Sequence, residues 1–545
     1  MICILHGYLL EGSGSNLWTH SIIRSLCRQG KTIHLFCQEN HPEIYDFIGE
    51  AYTYDKQLQK TILFRRETPY KGRCILHKPW IGKTLPVYVW DKYEEFEDVR
   101  PMIELSDEEI ETYLHRNIVS LKKIIRENGI TVMHANHAVL MSVVARRIFL
   151  ELGISYSIMP HGSAIEYAVK KDPRLFQLAK DAFVWTKRIF VIGKEIRQRV
   201  INLFPSETDL SNKMVDLNLG VDTDLFKPVE PAKRKQTIET LCRQIAVLPR
   251  GRRKKQSQTF SQQITPELKG DALKKVLEKA SAYNGKLTDE DVEEKLLSVN
   301  WEKENILLFV GRIISGKGLH SIITALPQIL KQHPNTRLIV VGHGPLREPL
   351  EVFLWALRND ARELAFEIIR TGKILEGGTQ ADPLAESWYY LQLLKKTDAL
   401  DAYFSNASQY LKENTVLFTG YLTHRELRFL FSASDVAIFP SVIAEAGPLV
   451  FLEALACGCF PMGTYFAGMA ASIDSTQGYV PPSAQNLMKI SRKPQNTVRD
   501  LIKNIDGALA LNRKYASALR KLAVEKYDWS SIGHRFIDEL ENISK

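Results

Sequence analysis

The sequence predicts an α/β protein made of two doubly wound parallel sheets with helical insertions. Three observations carry this. Short apolar runs of strand character alternate with amphipathic helical stretches, the pattern of a parallel sheet covered on both faces. The alternation breaks at 229–300 and resumes at 305, so there are two such halves. The chain has 545 residues, 45% hydrophobic and 25% charged. At ~150 residues per domain this is roughly three or four units, long enough to bury several cores. The same balance excludes a mainly disordered, collagenous or disulfide-dense chain.

In chain order, residues 2–10 (ICILHGYLL) form the first strand candidate. Residues 16–29 group Leu17, Ile22, Ile23 and Leu26 and stop at Gly30, a helix signature. A strand is expected at 32–38, then an aromatic, charged and irregular stretch over 50–115. A helix over 107–128 ends at Gly129. It is followed by a strand at 130–135, a helix at 138–152 and strands at 155–162 and 188–193. Residues 229–300 are basic first, then helical and mixed in charge, and are expected to be an insertion between domains. The second half runs strand 305–311, helix 319–332 and strand 336–344. A helical, polar insertion at about 350–412 comes next, then strand 415–420, helix 424–432, strand 436–441 and helix 448–457. Helices near 498–526 and 530–543 close the chain.

Seven cysteines without a CxxC pair argue for reduced thiols in a cytoplasmic protein rather than zinc or redox sites. The N-terminal apolar run lacks a basic region and meets Glu11 at once, so it is expected to be a buried strand and not a signal peptide. Residues 447–471 carry one charge, Glu453, but also two prolines and four glycines. They are expected to form strand, loop and buried helix rather than a bilayer span. The net charge is +9, of which +7 falls in residues 230–260. That concentration does not make a whole-surface nucleic-acid footprint. The run RGRRKK (250–255) is either a solvated face or a contact for anionic lipid headgroups.

Four segments could carry chemistry. In FVGRIISGKGL (309–319) a strand ends at Gly311, and Arg312 and Lys317 bracket a loop that opens a helix. A guanidinium fork, a mobile ammonium and helix N–H groups can together grip a diphosphate; the plainer alternative is a solvated loop. In EAGPLVFLEALACG (445–458) Pro448 suits the first helical position and Gly458 the stop. Glu445 then precedes the helix, the N–H groups of Leu449 and Val450 can face an anion, and Glu453 lies about two turns inside. A carboxylate in so apolar a helix needs a partner, either sugar hydroxyls or a Lys or Arg. The third segment, Gly12-Ser13-Gly14-Ser15, lets backbone approach a ligand or simply makes a turn; Leu17 breaks GxGxxG. The fourth, MPHGS (159–163), places His161 at a strand end, where ligands sit in open α/β sheets, or as a structural histidine. His134 and His137 also lie near a strand end, with no third metal ligand at matching spacing. The DxD runs Asp222–Asp224 and Asp289–Asp291 are expected to be a turn and a charged helix, and no metal site is expected.

Taken together, GRIISGKGL, the pair Glu445/Glu453 followed by EALACGCFP, and NLGVDTDLFKP resemble the retaining glycosyltransferase family 4 of the GT-B fold, over most of 1–228 and 301–545. The resemblance implies two facing Rossmann-like domains with a central cleft. The acceptor domain would span 1–228, the basic, helical insertion 229–300 and the nucleotide-sugar domain 301–526, with a helix at 527–545 crossing back. It implies that Arg312 and Lys317 hold the donor diphosphate beside Gly311, Gly447, Leu449 and Val450. Glu445 would contact the transferred sugar, Glu453 the ribose, and His161 the sugar near the reacting carbon, while Gly12 to Ser15 approach phosphate and acceptor. The expected activity is metal-independent, retaining transfer from a nucleoside-diphosphate sugar to a hydroxyl acceptor, without nucleic acid. The alternatives are a non-catalytic GT-B-like subunit that binds saccharide or a partner, and a nicotinamide dehydrogenase, which the lack of GxGxxG disfavours. The chain departs from the family at Gly447-Pro448, where an aromatic and a Gly are usual.

Overall fold

The apolar runs pair in parallel, in two separate sheets. The computed structural model describes residues 1–10, 14–88, 96–280, 287–378, 380–444 and 447–544. It divides into two compact units, Met1–Gly220 with Lys526–Lys545, and Val221–Glu525. The first boundary falls at Gly220 rather than 228, and residues 229–300 group with the second unit instead of standing apart.

The first unit holds a nine-stranded sheet. Its order is Met214–Asp216, Arg188–Val191, Ser155–Met159, Val132–Asn136, Ile2–Leu5, Thr32–Phe36, Arg73–Lys78, Ile48–Tyr54 and Lys60–Arg65. Every neighbouring pair is parallel except the last. The central Ile2–Leu5 strand is buried throughout, as its unbroken apolar run requires. The helix Asp107–Asn128 starts at a Ser106/Glu109 capping box and stops at Gly129, which is left-handed at φ 59°. Residues 50–115, expected to be irregular, instead take part in five strands among the described residues, Ile48–Tyr54, Lys60–Arg65, Arg73–Lys78, Thr84–Val87 and Asp98–Pro101. Lys60–Arg65 is an exposed edge strand, so it lacks the apolar signal of its buried neighbours. The helix Pro173–Trp185 stands beyond the elements expected from the sequence; Pro173 opens it and Asp172 caps it by accepting from the Arg174 amide.

The terminal helix Trp529–Ser544 belongs to the first unit's core. Phe536 packs edge-on against Trp18 and His134 and tilts against Phe190. Ser25 Oγ donates to the Trp529 carbonyl at 2.7 Å. A Cβ on Gly220 would overlap the Trp529 ring, so the chain needs glycine there.

The second unit holds a six-stranded sheet with every pair parallel. Its order is Val416–Gly420, Thr336–Val341, Asn305–Val310, Val436–Phe439, Phe460–Thr464 and Lys489–Ile490. Residues 447–471 form the buried helix Leu449–Ala456, the strand Phe460–Thr464 and most of the helix Ala467–Asp474. Among the described residues no helix is long and apolar enough to cross a membrane.

The basic run is not simply a solvated face. Arg252 is 3% exposed and pairs with Glu351 at 2.8 Å and Glu348 at 3.4 Å. Arg250 pairs with Glu293, and Lys254 with Glu294. Fewer cations are therefore left for an anionic surface than the sequence count suggests. The expected insertion at 350–412 is helical, as Arg347–Arg358, Arg362–Thr371, Ala385–Lys396 and Leu400–Tyr410. Its inward faces are apolar: Leu350, Phe353, Leu391 and Phe404 are at most 1% exposed.

Candidate functional site

In parallel sheets, ligands gather where strands end at their carboxyl termini. In the second unit the Asn305–Val310 strand runs into residues 311–318 there. Gly311 donates to the Val341 carbonyl at 3.0 Å and Ile313 to that of His343 at 2.7 Å, so the loop lies along the next strand's end. A Cβ on Gly342 (φ 143°) would overlap the Gly311 carbonyl oxygen, which explains glycine at that close approach. Ser315–Lys317 is a single 3₁₀ turn. Gly318, left-handed at φ 75°, then opens the helix Leu319–Gln332. On the other side Val442 donates to the Gly316 carbonyl at 2.9 Å, which ties the turn to the loop after Val436–Phe439. Arg312 is exposed and Lys317 half-buried on this clamped loop.

The helix Leu449–Ala456 begins after Pro448, which is its N-cap rather than its first helical residue. Its proline nitrogen removes one end amide, while Leu449 and Val450 keep theirs. The first intrahelical bond runs from Phe451 to the Pro448 carbonyl at 3.0 Å. Glu453 is 4% exposed. Its protein partner is a histidine, where the sequence leaves a Lys or Arg as the alternative to sugar hydroxyls: His424 Nδ1 meets Oε1. Oε2 is buried with no partner among the described residues. The Glu453 charge holds the His424 pKa above its usual value, against the opposing effect of burial. His424 opens the helix His424–Ala433, which Thr423 and Glu426 cap reciprocally.

Arg312, Lys317, Gly311, Gly447, Leu449, Val450 and Glu453 thus all belong to the second unit. Glu445 lies outside the described residues, as do Gly12 and Ser13. Gly14 and Ser15 form the first turn of the helix Gly14–Arg28 and not a loop. The Ser15 carbonyl accepts from Thr19 Oγ1 at 2.8 Å, so its backbone is committed to the helix.

His161 lies two residues past the strand Ser155–Met159, at the N-cap of Gly162–Ala164, and is buried, 9% exposed. Its Nε2 lies 3.1 Å from Asn136 Oδ1. Burial pushes its pKa down to about 3, so the ring is neutral. Asn136 donates to Thr19 Oγ1 at 2.8 Å, and His6 Nε2 lies 3.0 Å from Asn16 Oδ1. His137, left-handed at φ 73°, sits with its ring 4.8 Å from that of His161. His6 and Asn136 were not singled out in the sequence. Their signal is position: His6 directly follows the Ile2–Leu5 strand and Asn136 ends Val132–Asn136.

The DxD runs are occupied differently. Asp222 Oδ1 accepts from the Asp224 and Leu225 amides, a turn as expected. Asp289 is not on a charged helix but precedes Val292–Leu297, 1% exposed and paired with Arg347 at 2.6 Å and Lys295 at 2.8 Å. Among the described residues, no group of three His, Cys, Asp or Glu could hold a metal.

Two units, each built on a largely parallel sheet, fit the GT-B class of fold. Solved structures agree over nearly the whole chain. The sucrose-phosphate synthase of Thermosynechococcus elongatus matches at TM-score 0.51 and 14% identity, covering 99% of this chain and 98% of that one. Anabaena HepE in complex with UDP matches at TM-score 0.53 and 13% identity, covering 99% of each chain. The catalytic domain of starch synthase IV from Arabidopsis thaliana matches at 0.54 and 10%, covering 100% and 99%.

The family model for glycosyl transferases group 1 matches residues 291–362 and 398–503, all within the second unit. A glycogen synthase of Mycobacterium tuberculosis is 25% identical over 226 residues, 42% of this chain. An uncharacterized glycosyltransferase of Methanocaldococcus jannaschii is 26% identical over 157 residues, 29% of this chain. The match spans 40% of the length of the first relative and 26% of the second.

Proposed function

We propose that the chain transfers a sugar from a nucleoside-diphosphate donor to a hydroxyl acceptor, with retention at the anomeric carbon and without a metal. The carrying observation is Glu453, buried in the helix that Pro448 caps, with one oxygen unpartnered among the described residues. A carboxylate in that state is costly unless a ligand hydroxyl completes it, and the ribose of the donor supplies one. Arg312, Lys317 and the amides of Leu449 and Val450 take the diphosphate, and Glu445 the transferred sugar. The polar cluster of His161, Asn136 and His6 serves the acceptor side in the first unit, where neutral imidazoles suit an uncharged hydroxyl compound.

In this reading the bond from the anomeric carbon to the diphosphate oxygen breaks, and the acceptor oxygen bonds to that carbon on the same face. Its proton passes to the departing diphosphate. Arg312 and Lys317 stabilise the charge that develops there. The engagement of Asp222 with amides and of Asp289 with two cations supports a metal-free site. The curated relative named glycogen synthase supports hexosyl transfer, and the UDP in the HepE complex supports a nucleoside-diphosphate donor.

The test is transfer or donor hydrolysis by the purified chain across UDP-, GDP- and ADP-sugars. Arg312→Ala and Lys317→Ala should each lower kcat/KM by about 100-fold, the scale for losing one stabilising group of a developing anion. Full kcat/KM in both variants would remove the diphosphate assignment.

A further inference from the structure

The turn that carries Lys317 has a defect in its own sequence. The residue at its N-cap is Ile314, which has no side-chain acceptor, so the Ser315 amide is left uncapped from within the turn. The cap comes from elsewhere. Glu376 Oε1 accepts from the Ser315 amide, and Glu376 Oε2 accepts from Ser315 Oγ at 2.6 Å. Both carboxylate oxygens are spent on one residue, two positions before Lys317.

Glu376 lies in the 350–412 insertion, outside the pattern that the motifs share with their family. Its loop is built to present it. Gly372 (φ 47°) has no room for a Cβ beside the Asp382 carbonyl oxygen, and Lys373 pairs with Asp382. Gly377 turns left-handed at φ 89°, and Gly378 donates back to the Lys373 carbonyl at 3.0 Å. The same insertion grips the helix behind the turn. His320 Nε2 lies 2.9 Å from Glu386 Oε2, Thr324 Oγ1 donates to Ser387 Oγ at 2.7 Å, and Tyr403 donates to the Thr324 carbonyl at 2.9 Å. The insertion thus holds the loop-to-helix junction from Ser315 to Thr324.

We propose that Glu376 is a positioning residue for the donor diphosphate: it caps the Ser315–Lys317 turn in trans and so fixes where Lys317 presents its charge. The inference rests on the donor reading above and goes further, because it gives the insertion a role in that site. Charge alone argues the opposite sign. A carboxylate close to Lys317 weakens the local attraction for an anion, so a mere counter-charge would depress donor binding and its removal would tighten it.

The experiment titrates the full chain with UDP, GDP and ADP by calorimetry and follows the tightest of them in variants. Glu376→Ala should weaken binding about 10-fold, with the thermal midpoint within a few degrees of wild type. Glu376→Gln keeps an acceptor for the Ser315 amide and should bind within about 3-fold of wild type. With sugar donor, KM should rise in Glu376→Ala while kcat changes little. Amide exchange at 315–318 should quicken in Glu376→Ala without ligand. Unchanged or tighter binding in Glu376→Ala overturns the inference and leaves the donor site standing. So does Glu376→Gln as weak as Glu376→Ala. Wild-type protein that binds none of the three nucleotides overturns the donor reading and this inference with it.

Discussion

At the scale of single residues the site turns on Glu453 and its histidine. The sequence marks Glu453 clearly, as the one charge in 447–471, and Arg312 and Lys317 through their loop. His424 carries no such mark, because it is 29 residues away and meets Glu453 only through folding. The pair makes a testable statement about pH. The pKa of His424 is raised above its usual value by Glu453, so the charged pair stabilises fully below about 6.5, the unperturbed histidine value. That stabilisation is lost as pH rises through the folded value, which lies higher. Thermal unfolding of wild type and His424→Gln should therefore differ most at pH 6 and converge toward pH 9. A gap that stays constant or widens with pH would show that the imidazolium does not hold Glu453. His161 behaves oppositely: burial keeps it neutral, and the structure sets it beside Asn136, a partner that its position at a strand end beside glycine does not reveal.

At the scale of elements, legibility followed burial and capping. Asp107–Asn128 and Leu319–Gln332 have the bounds expected from the sequence, because a capping box, a terminal glycine or an apolar face marks each one locally. The strands within 50–115 were hidden since Lys60–Arg65 faces solvent, and Glu50 is a buried charge partnered by Arg65 and Arg73. A carboxylate inside a strand reads as a break in an apolar run unless its partners are seen. The loop after Asn305–Val310 shows the same dependence on remote contacts. Its course is set by the next strand's end, where Gly342 lets the backbone pass the Gly311 carbonyl. Gly342→Ala should push the two loops apart and cost about 1–3 kcal/mol, the range for a strained backbone position. Denaturant unfolding measures that directly, and a neutral substitution would mean the loops do not touch. Donor affinity should fall with it, since Arg312 sits on the displaced loop.

At the scale of the whole molecule, two features follow from chain crossings that composition does not report. The +7 segment looks like a surface label, yet its Arg252 is internal and its net charge is partly cancelled by Glu293, Glu294, Glu348 and Glu351. Local charge counts see the basic residues and not the acids that folding brings to them. The closing helix is the second case. Its apolar residues alternate as any amphipathic helix does, so its own sequence does not say which core it fills. The answer lies in its contacts: Phe536 is fully buried among Trp18, His134 and Phe190, all more than 300 positions earlier. A large aromatic removed from such a core costs about 3–5 kcal/mol. Phe536→Ala should therefore destabilise the first unit although the substitution lies near the chain's end. Hydrogen exchange read by mass spectrometry should show protection lost in 1–220 and 526–544 and retained in 221–525. Loss of protection mainly within 221–525 would place the closing helix in the other core and break the division into units.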